Sequence, residues 1–320
     1  MTFGRTGSST DLDALSAAFG LGPMPDGPRV VALGGGHGLA IALRAARRYA
    51  GSITAIVSVA DDGGSSGRLR RDLDVLAPGD LRKALAALAD RESVWPDALE
   101  HRFAAGELEG HAVGNLLLVG LAEALGSWSA ALAEVGRIVG AVGQVLPATV
   151  DPVVIKAEIG GDEVAGQVAI QQRGGSGPIH GVHLVPDDVS APPAALQAIM
   201  EADQVLLGPG SLFTSVLAAV VVPEIRTAIA LTGARVIQIA NLLTEDPETA
   251  GLDGTDHLLA LLEHRIRVDT FLYDRSGPLA VNQAYVFEHG VMPVAVDLAA
   301  PGAGAHDAER LAAALLDLLS

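Results

Sequence analysis

Between Arg29 and Val59 the chain places two β-branched, apolar runs on either side of a turn with four glycines in five positions, Gly34-Gly35-Gly36-His37-Gly38, and a helix-spaced stretch. Residues 29–33 and 52–59 read as buried strands, and 39–49 as the helix between them. A strand, turn, helix and strand within about 30 residues is a βαβ unit with a right-handed crossover. Parallel strands need helices on both faces of the sheet, and ligands of such sheets gather where the strands end.

The rest of the chain continues that theme. Helices are predicted over residues 79–90, 95–105, 114–124, 129–139, 193–202, 212–220, 224–232, 255–265 and 305–319, and strands over 181–185, 204–207, 236–240 and 270–273. Residues 153–159 and 163–171 flank Gly160-Gly161, which predicts a hairpin at the sheet edge. Residues 174–177 read as a loop. The expected fold class is α/β, a three-layer, mostly parallel Rossmann-like sheet with helices on both faces and a small β-hairpin excursion. Residues 1–27 read as a disordered tail with one short helix at 12–19, and residues 28–320 as a single domain.

Composition narrows the function. A net charge of −17 argues against nucleic-acid binding, and the absence of cysteine removes thiolate chemistry, disulfides and Cys-bound zinc. No apolar run reaches the length of a membrane span, and the amino terminus lacks the apolar core of a signal peptide, so a cytoplasmic protein without membrane insertion is expected. Arg68, Arg70, Arg71, Arg82 and Lys83 form a basic cluster that suits either a small anionic ligand or a solvated face. The Ala-rich helices permit a homodimer without requiring one.

Four segments at strand ends carry the candidate chemistry. Gly34, Gly35, Gly36, His37 and Gly38 can bring backbone N–H groups and a helix N-terminus to phosphate oxygens, although the same glycines suit a bare turn needing positive φ. Leu39 takes the place of the third glycine of a dinucleotide fingerprint, which leaves an NAD-dependent oxidoreductase as the weakest reading. Asp61, Asp62, Gly63 and Ser65 follow the second strand, where a carboxylate can accept from a ribose, hold Mg²⁺ beside phosphates or act as a base; a plain surface loop has the same composition. Gly208, Gly210 and Ser211 form another strand-to-helix turn, with Ser211 expected to cap the helix and its N–H groups able to meet an anion. Asn241 ends a strand ahead of Thr244 and Glu245, and Asn115 leads a helix after His111. The histidines have no zinc-ligand spacing, and no nucleophile elbow is present.

Taken as a set, VVALGGGHGL (30–39), IVSVADDGGSSGRLRRDLDVLAPGDLRKALAALA (56–89), GNLLL (114–118), LGPGSLFTS (207–215) and NLLTE (241–245) resemble the gluconeogenesis-factor (YvcK-type) proteins, whose superfamily includes 2-phospho-L-lactate transferase. The resemblance implies a cytoplasmic regulatory protein that binds UDP-sugars such as UDP-N-acetylglucosamine. It also implies links to cell shape, cell-wall precursor supply and growth on gluconeogenic carbon, with as yet unidentified protein partners in cell-wall synthesis. It carries the binding role to Gly34, Gly35, Gly36, Asp61, Asp62, Gly208, Gly210, Ser211 and Asn241, and requires no cofactor. His37 stands where the family's GGGTG loop has threonine, so an imidazole replaces a hydroxyl. The alternative is a transferase that joins a phospholactyl group to a deazaflavin precursor, with Mg²⁺ held by Asp62. An aromatic content of 3% is thin for stacking a tricyclic ring.

Overall fold

The computed structural model describes Met24 and residues 26–245, 247–302 and 304–319; the helix expected at 12–19 lies outside these. In chain order the first half runs β1 (Arg29–Gly34), α1 (Gly36–Ala46), β2 (Ser52–Val57), α2 (Gly64–Leu73), α3 (Pro78–Leu88), α4 (Trp95–Glu100), α5 (Val113–Leu125), α6 (Trp128–Ile138) and β3 (Gln144–Pro147). A small module follows: β4 (Val154–Ile159), β5 (Asp162–Ala165), α7 (Gln167–Arg173), a 3₁₀ turn (Gly174–Ser176) and β6 (Ile179–Val185). The second half comprises α8 (Pro193–Glu201), β7 (Gln204–Leu207), a π-helical turn (Leu212–Leu217) running into α9 (Ala218–Val220), α10 (Pro223–Leu231), β8 (Arg235–Ile239), α11 (Gly254–Glu263), β9 (Thr270–Asp274), α12 (Gln283–Glu288), β10 (Met292–Val296) and α13 (Ala308–Asp317).

Seven strands form one parallel sheet in the order β10-β9-β8-β7-β1-β2-β3. Strands β7 and β9 are buried along their whole length, and β1 and β8 all but at their first residue, as expected where helices cover both faces. Helix α1 packs on α3 and α13, and α8 lies across β1, β2 and β3 and against α10. Proline at the first position starts α3, α8 and α10, where its missing N–H costs nothing. Among the described residues no single helix is long and apolar enough to cross a membrane.

The hairpin forms, with Gly160 and Gly161 both at positive φ in a two-residue turn, but not at the edge of the main sheet. Together with β6 it builds a separate antiparallel sheet in the order β5-β4-β6. Strand β6 alternates buried and exposed residues, the mark of a sheet covered on one face only, which separates it from the continuous runs of the main sheet. The second hairpin strand stops at Ala165, because Gly166 turns at φ 95° into α7.

Four elements have no counterpart in the sequence reading. Helix α2 opens on Gly-Ser-Ser-Gly, a poor helix former. Strand β3 is only four residues long and ends on proline, α12 is a single six-residue stretch, and β10 contains Pro293, which is tolerated because β10 pairs on one side alone.

The last helix is tied to the centre of the sheet by one buried polar chain. Tyr49 Oη donates to Gln204 Oε1 at 2.8 Å, and Gln204 Nε2 donates to the Leu315 carbonyl at 2.7 Å. Tyr49→Phe leaves the Gln204 oxygen buried without a donor and is expected to cost about 1–3 kcal/mol. Urea denaturation checks this through a lower midpoint at unchanged slope; a loss within about 0.5 kcal/mol would show that the chain does not fasten α13.

Candidate functional site

From β1 the chain moves outward to β2 and β3, whereas from β7 it moves the opposite way to β8, β9 and β10. The loops after β1 and β7 therefore part from one another, and a crevice opens at the carboxyl ends of these two neighbouring strands. Gly34–Gly38 borders it on one side and Gly208–Ser211 on the other. The two turns touch backbone to backbone: a Cβ on Gly38 would overlap the Pro209 carbonyl, and the Gly208 N–H donates to the Leu33 carbonyl at 3.0 Å.

Asn241, at the end of β8, clamps that second turn. Its Oδ1 accepts from the Gly210 N–H at 2.7 Å and its Nδ2 donates to the Gly210 carbonyl at 3.0 Å. Ser211 does not cap the helix as expected, since its hydroxyl donates to Glu245 Oε2 at 2.7 Å. Glu248 caps it instead, its Oε1 accepting from the N–H groups of Phe213 at 3.1 Å and Thr214 at 2.9 Å. The helix end that was to meet a ligand anion thus meets the protein's own carboxylate.

On the other side of Gly34–Gly38, three helix starts converge. Gly35 lies against the Asp80 carboxylate, while Gly79 lies against Ser66 and Asp61 and donates its N–H to Ser66 Oγ at 3.1 Å. In α1 the first N–H to find a carbonyl behind it is that of Leu39, and in α2 that of Gly67. The N–H groups of Gly36, His37 and Gly38, and of Gly64, Ser65 and Ser66, therefore point out of their helix ends, carrying the positive end of each dipole. Gly36 sits at φ +64° with nothing within 4 Å of a would-be Cβ, so the space above this turn is open. His37 is exposed beside it.

The acidic residues of the second loop have separate duties. Asp61 Oδ1 accepts from the Gly63 N–H at 2.9 Å, and burial, followed by the nearby Asp80 charge, raises its carboxyl above the ordinary range. Asp62 Oδ1 instead accepts from the Val168 N–H at 3.0 Å, docking the start of α7. The carboxylate whose charge reaches Asp61 is thus that of Asp80, itself 3.1 Å from Lys83 Nζ. Asp80 was hidden in the sequence because an acid in the first turn after a proline reads as routine helix capping. Among the described residues no group of three or more His, Cys, Asp or Glu is arranged to hold a metal ion.

Ser65 is braced from below: buried Asn115 donates Nδ2 to its hydroxyl at 3.0 Å, and His111 Nδ1 lies 3.1 Å from the same oxygen. Burial, and then the Arg68 guanidinium, hold the His111 imidazole below its usual pKa. Most of the basic cluster is also committed to the fold. Arg68 donates to the Glu109 carbonyl, Arg70 to the carbonyls of Asp61 and Val153, and Arg82 pairs with Glu100. Neither of the two uses suggested for this cluster describes these residues, which act as braces.

The crevice itself has a volume of about 390 Å³ and is bounded by His37, Arg44, Gly210, Asn241, Thr244 and Glu245, with no Phe, Tyr or Trp among the described residues of its walls. Gly34–Gly38, Asp61, Ser65, Gly208–Ser211 and Asn241 all lie at this sheet edge, while Asn115 stands behind it as support. Arg44, His306 and Glu248 carried no sequence signal, because each sits in an ordinary helical or loop context and reaches the site only through the fold.

Residues 30–313 match the family model described as 2-phospho-L-lactate transferase CofD. The chain is 45% identical over 311 residues to a putative gluconeogenesis factor of Mycobacterium tuberculosis, covering 91% of this chain and 90% of that protein. It is 38% identical over 276 residues to the gluconeogenesis factor of Bacillus subtilis, covering 85% and 86%. The crystal structure of a UPF0052-family protein from Bacillus halodurans superposes with a TM-score of 0.87 at 36% identity, covering 91% of this chain and 99% of that one.

Burial raises the Glu248 carboxyl from 4.5 to about 7. Over that window the folded protein holds a proton that the unfolded chain releases, so the associated stability is complete below the lower value and is lost as pH rises through the upper. Thermal melts should fall less steeply between about pH 5 and about pH 8 for Glu248→Gln than for wild type. Parallel profiles would contradict the assignment.

Proposed function

Because the chain belongs to the gluconeogenesis-factor proteins of the CofD family, we propose that it is a cytoplasmic regulatory protein that binds a nucleotide sugar of the UDP-N-acetylglucosamine type at the β1/β7 crevice. The observation that carries the reading is the pair of helix starts at Gly36 and Gly64, each at positive φ with nothing within 4 Å of a would-be Cβ, and with first-turn N–H groups that no carbonyl behind them accepts. A diphosphate is the ligand group that such a pair satisfies best. Ribose hydroxyls can donate to Glu245, whose other oxygen is taken by Ser211, and Arg44 adds positive charge to an otherwise acidic protein. Regulation is favoured over catalysis because Ser65, the one hydroxyl of the loop tied to a histidine, is buried and held by two partners. On this reading the bound state is passed to proteins of cell-wall synthesis, and so to cell shape and growth on gluconeogenic carbon.

A second reading, phospholactyl transfer, is favoured by one observation, the neighbouring carboxylates Asp61 and Asp80, close enough for the charge of one to act on the other. They are the groups suited to share Mg²⁺ with ligand phosphates, since Asp62 is spent on α7. Product formation from a deazaflavin precursor, an activated phospholactate and Mg²⁺ would support it, and the aromatic-free crevice argues for no product.

Calorimetric titration with UDP-N-acetylglucosamine should give saturable binding with the sugar recovered intact. His37→Glu supplies the sharper test, because a carboxylate at the first turn of α1 suits the helix dipole yet repels a phosphate. Unchanged melting with binding weakened by about tenfold or more is expected; equal affinity would remove the diphosphate from this helix end.

A further inference from the structure

Helix α1 turns one face to the crevice. His37, Ile41 and Arg44 follow one another at spacings of four and three, so they share a side of the helix, and all three line the cavity. His37 stands at the helix start where the diphosphate is placed. Arg44 lies two turns further on, about 10 Å along the axis, which matches the span of a nucleoside from its phosphate to the far edge of its base. Arg44 is exposed, and among the described residues its guanidinium has no hydrogen bond or ion pair. Its neighbours are committed, Arg47 to the carbonyls of Ala87 and Ala89 and Arg48 to Glu309. The polar groups of the other walls are mostly spent as well. Asn241 holds the Gly210 peptide, His306 Nε2 lies 3.0 Å from the Ala240 carbonyl, and one Glu245 oxygen takes the Ser211 hydroxyl.

We propose that Arg44 selects the nucleobase, taking one whose outer edge offers a carbonyl oxygen, uracil or guanine, over one that offers an amino group there, cytosine or adenine. The inference rests on the diphosphate reading of the α1 start. A guanidinium donates through five N–H groups and accepts through none, so it pairs with guanine O6 and N7 or with uracil O4. An amino group in the same place sets donor against donor, and both lose the water that would otherwise satisfy them. No aromatic ring stands among the described residues of the walls, so a base is held there by its edge and by apolar contact with Ile41, Leu242 and Leu243. Thr244, which can donate or accept, does not discriminate. With the ribose on Glu245, the choice between a carbonyl and an amino edge falls to Arg44.

Calorimetric titration of the full chain with UDP and with CDP tests the proposal, because the two ligands share every phosphate and ribose contact and differ at the base edge. UDP is expected to bind about tenfold or more tightly than CDP. Arg44→Met keeps most of the stem and removes the donors, and thermal melting checks that it folds; it should bring UDP down to the affinity of CDP. If Arg44 served the phosphates by charge alone, the variant would weaken both ligands and leave their ratio unchanged, which would overturn the proposal. Equal binding of UDP and CDP to the wild type would overturn it too, while leaving the diphosphate reading in place. Failure of both ligands to bind would remove that reading and the proposal with it.

Discussion

The contact on which the site depends is the one between two backbones, Gly38 on α1 and Pro209-Gly210 after β7. It exists because β1 and β7 are neighbours whose onward chains run in opposite directions, so nothing but their own turns can close the gap. Only a residue without Cβ lets the turns come this close. Asn241 then fixes the far side of the contact by binding both polar groups of the Gly210 peptide. The N–H groups of α1 are left facing outward, held in place by a frame that a ligand need not organise.

Negative charge is distributed around this positive edge with a consistent logic. Two helix ends near it are capped by the protein's own carboxylates, Glu248 on the π-helical turn and Asp62 on α7. Among the described residues no side chain caps the starts of α1 and α2. Asp61 and Asp80 lie next to those two starts without capping them, and their mutual repulsion together with burial makes Asp61 reluctant to ionise. The starts of α3, α5, α8 and α10 also lack a side-chain cap, so what sets α1 and α2 apart is the open space above Gly36 and Gly64, both at positive φ.

Much of this was legible in the chain. The first βαβ unit was readable because buried parallel strands are continuous β-branched runs and because glycine concentrates at their ends. Gly34–Gly38, Asp61, Gly208–Ser211 and Asn241 were readable as strand-end residues, and the sheet brings them to one edge. Their division of labour was not, because it depends on partners distant in sequence: Asp62 with Val168, Asn241 with Gly210, Glu248 with Phe213 and Thr214. Residues 64–73 form a helix against their propensity, since Arg70 ties them to two carbonyls and Ser65 and Ser66 are bonded from neighbouring helices. Strand β6 continues the α/β rhythm by pattern, yet pairs antiparallel with β4, because the connection through α7 and the 3₁₀ turn returns the chain to the other edge of β4 rather than to the main sheet.

The most direct measurement is a crystal structure of the complex with UDP-N-acetylglucosamine. The account predicts diphosphate oxygens within hydrogen-bonding distance of the Gly36 and His37 N–H groups, with the nucleoside in the crevice bounded by Arg44, Thr244 and Glu245. A ligand seated at the opposite edge of the sheet, near Arg29, would contradict it.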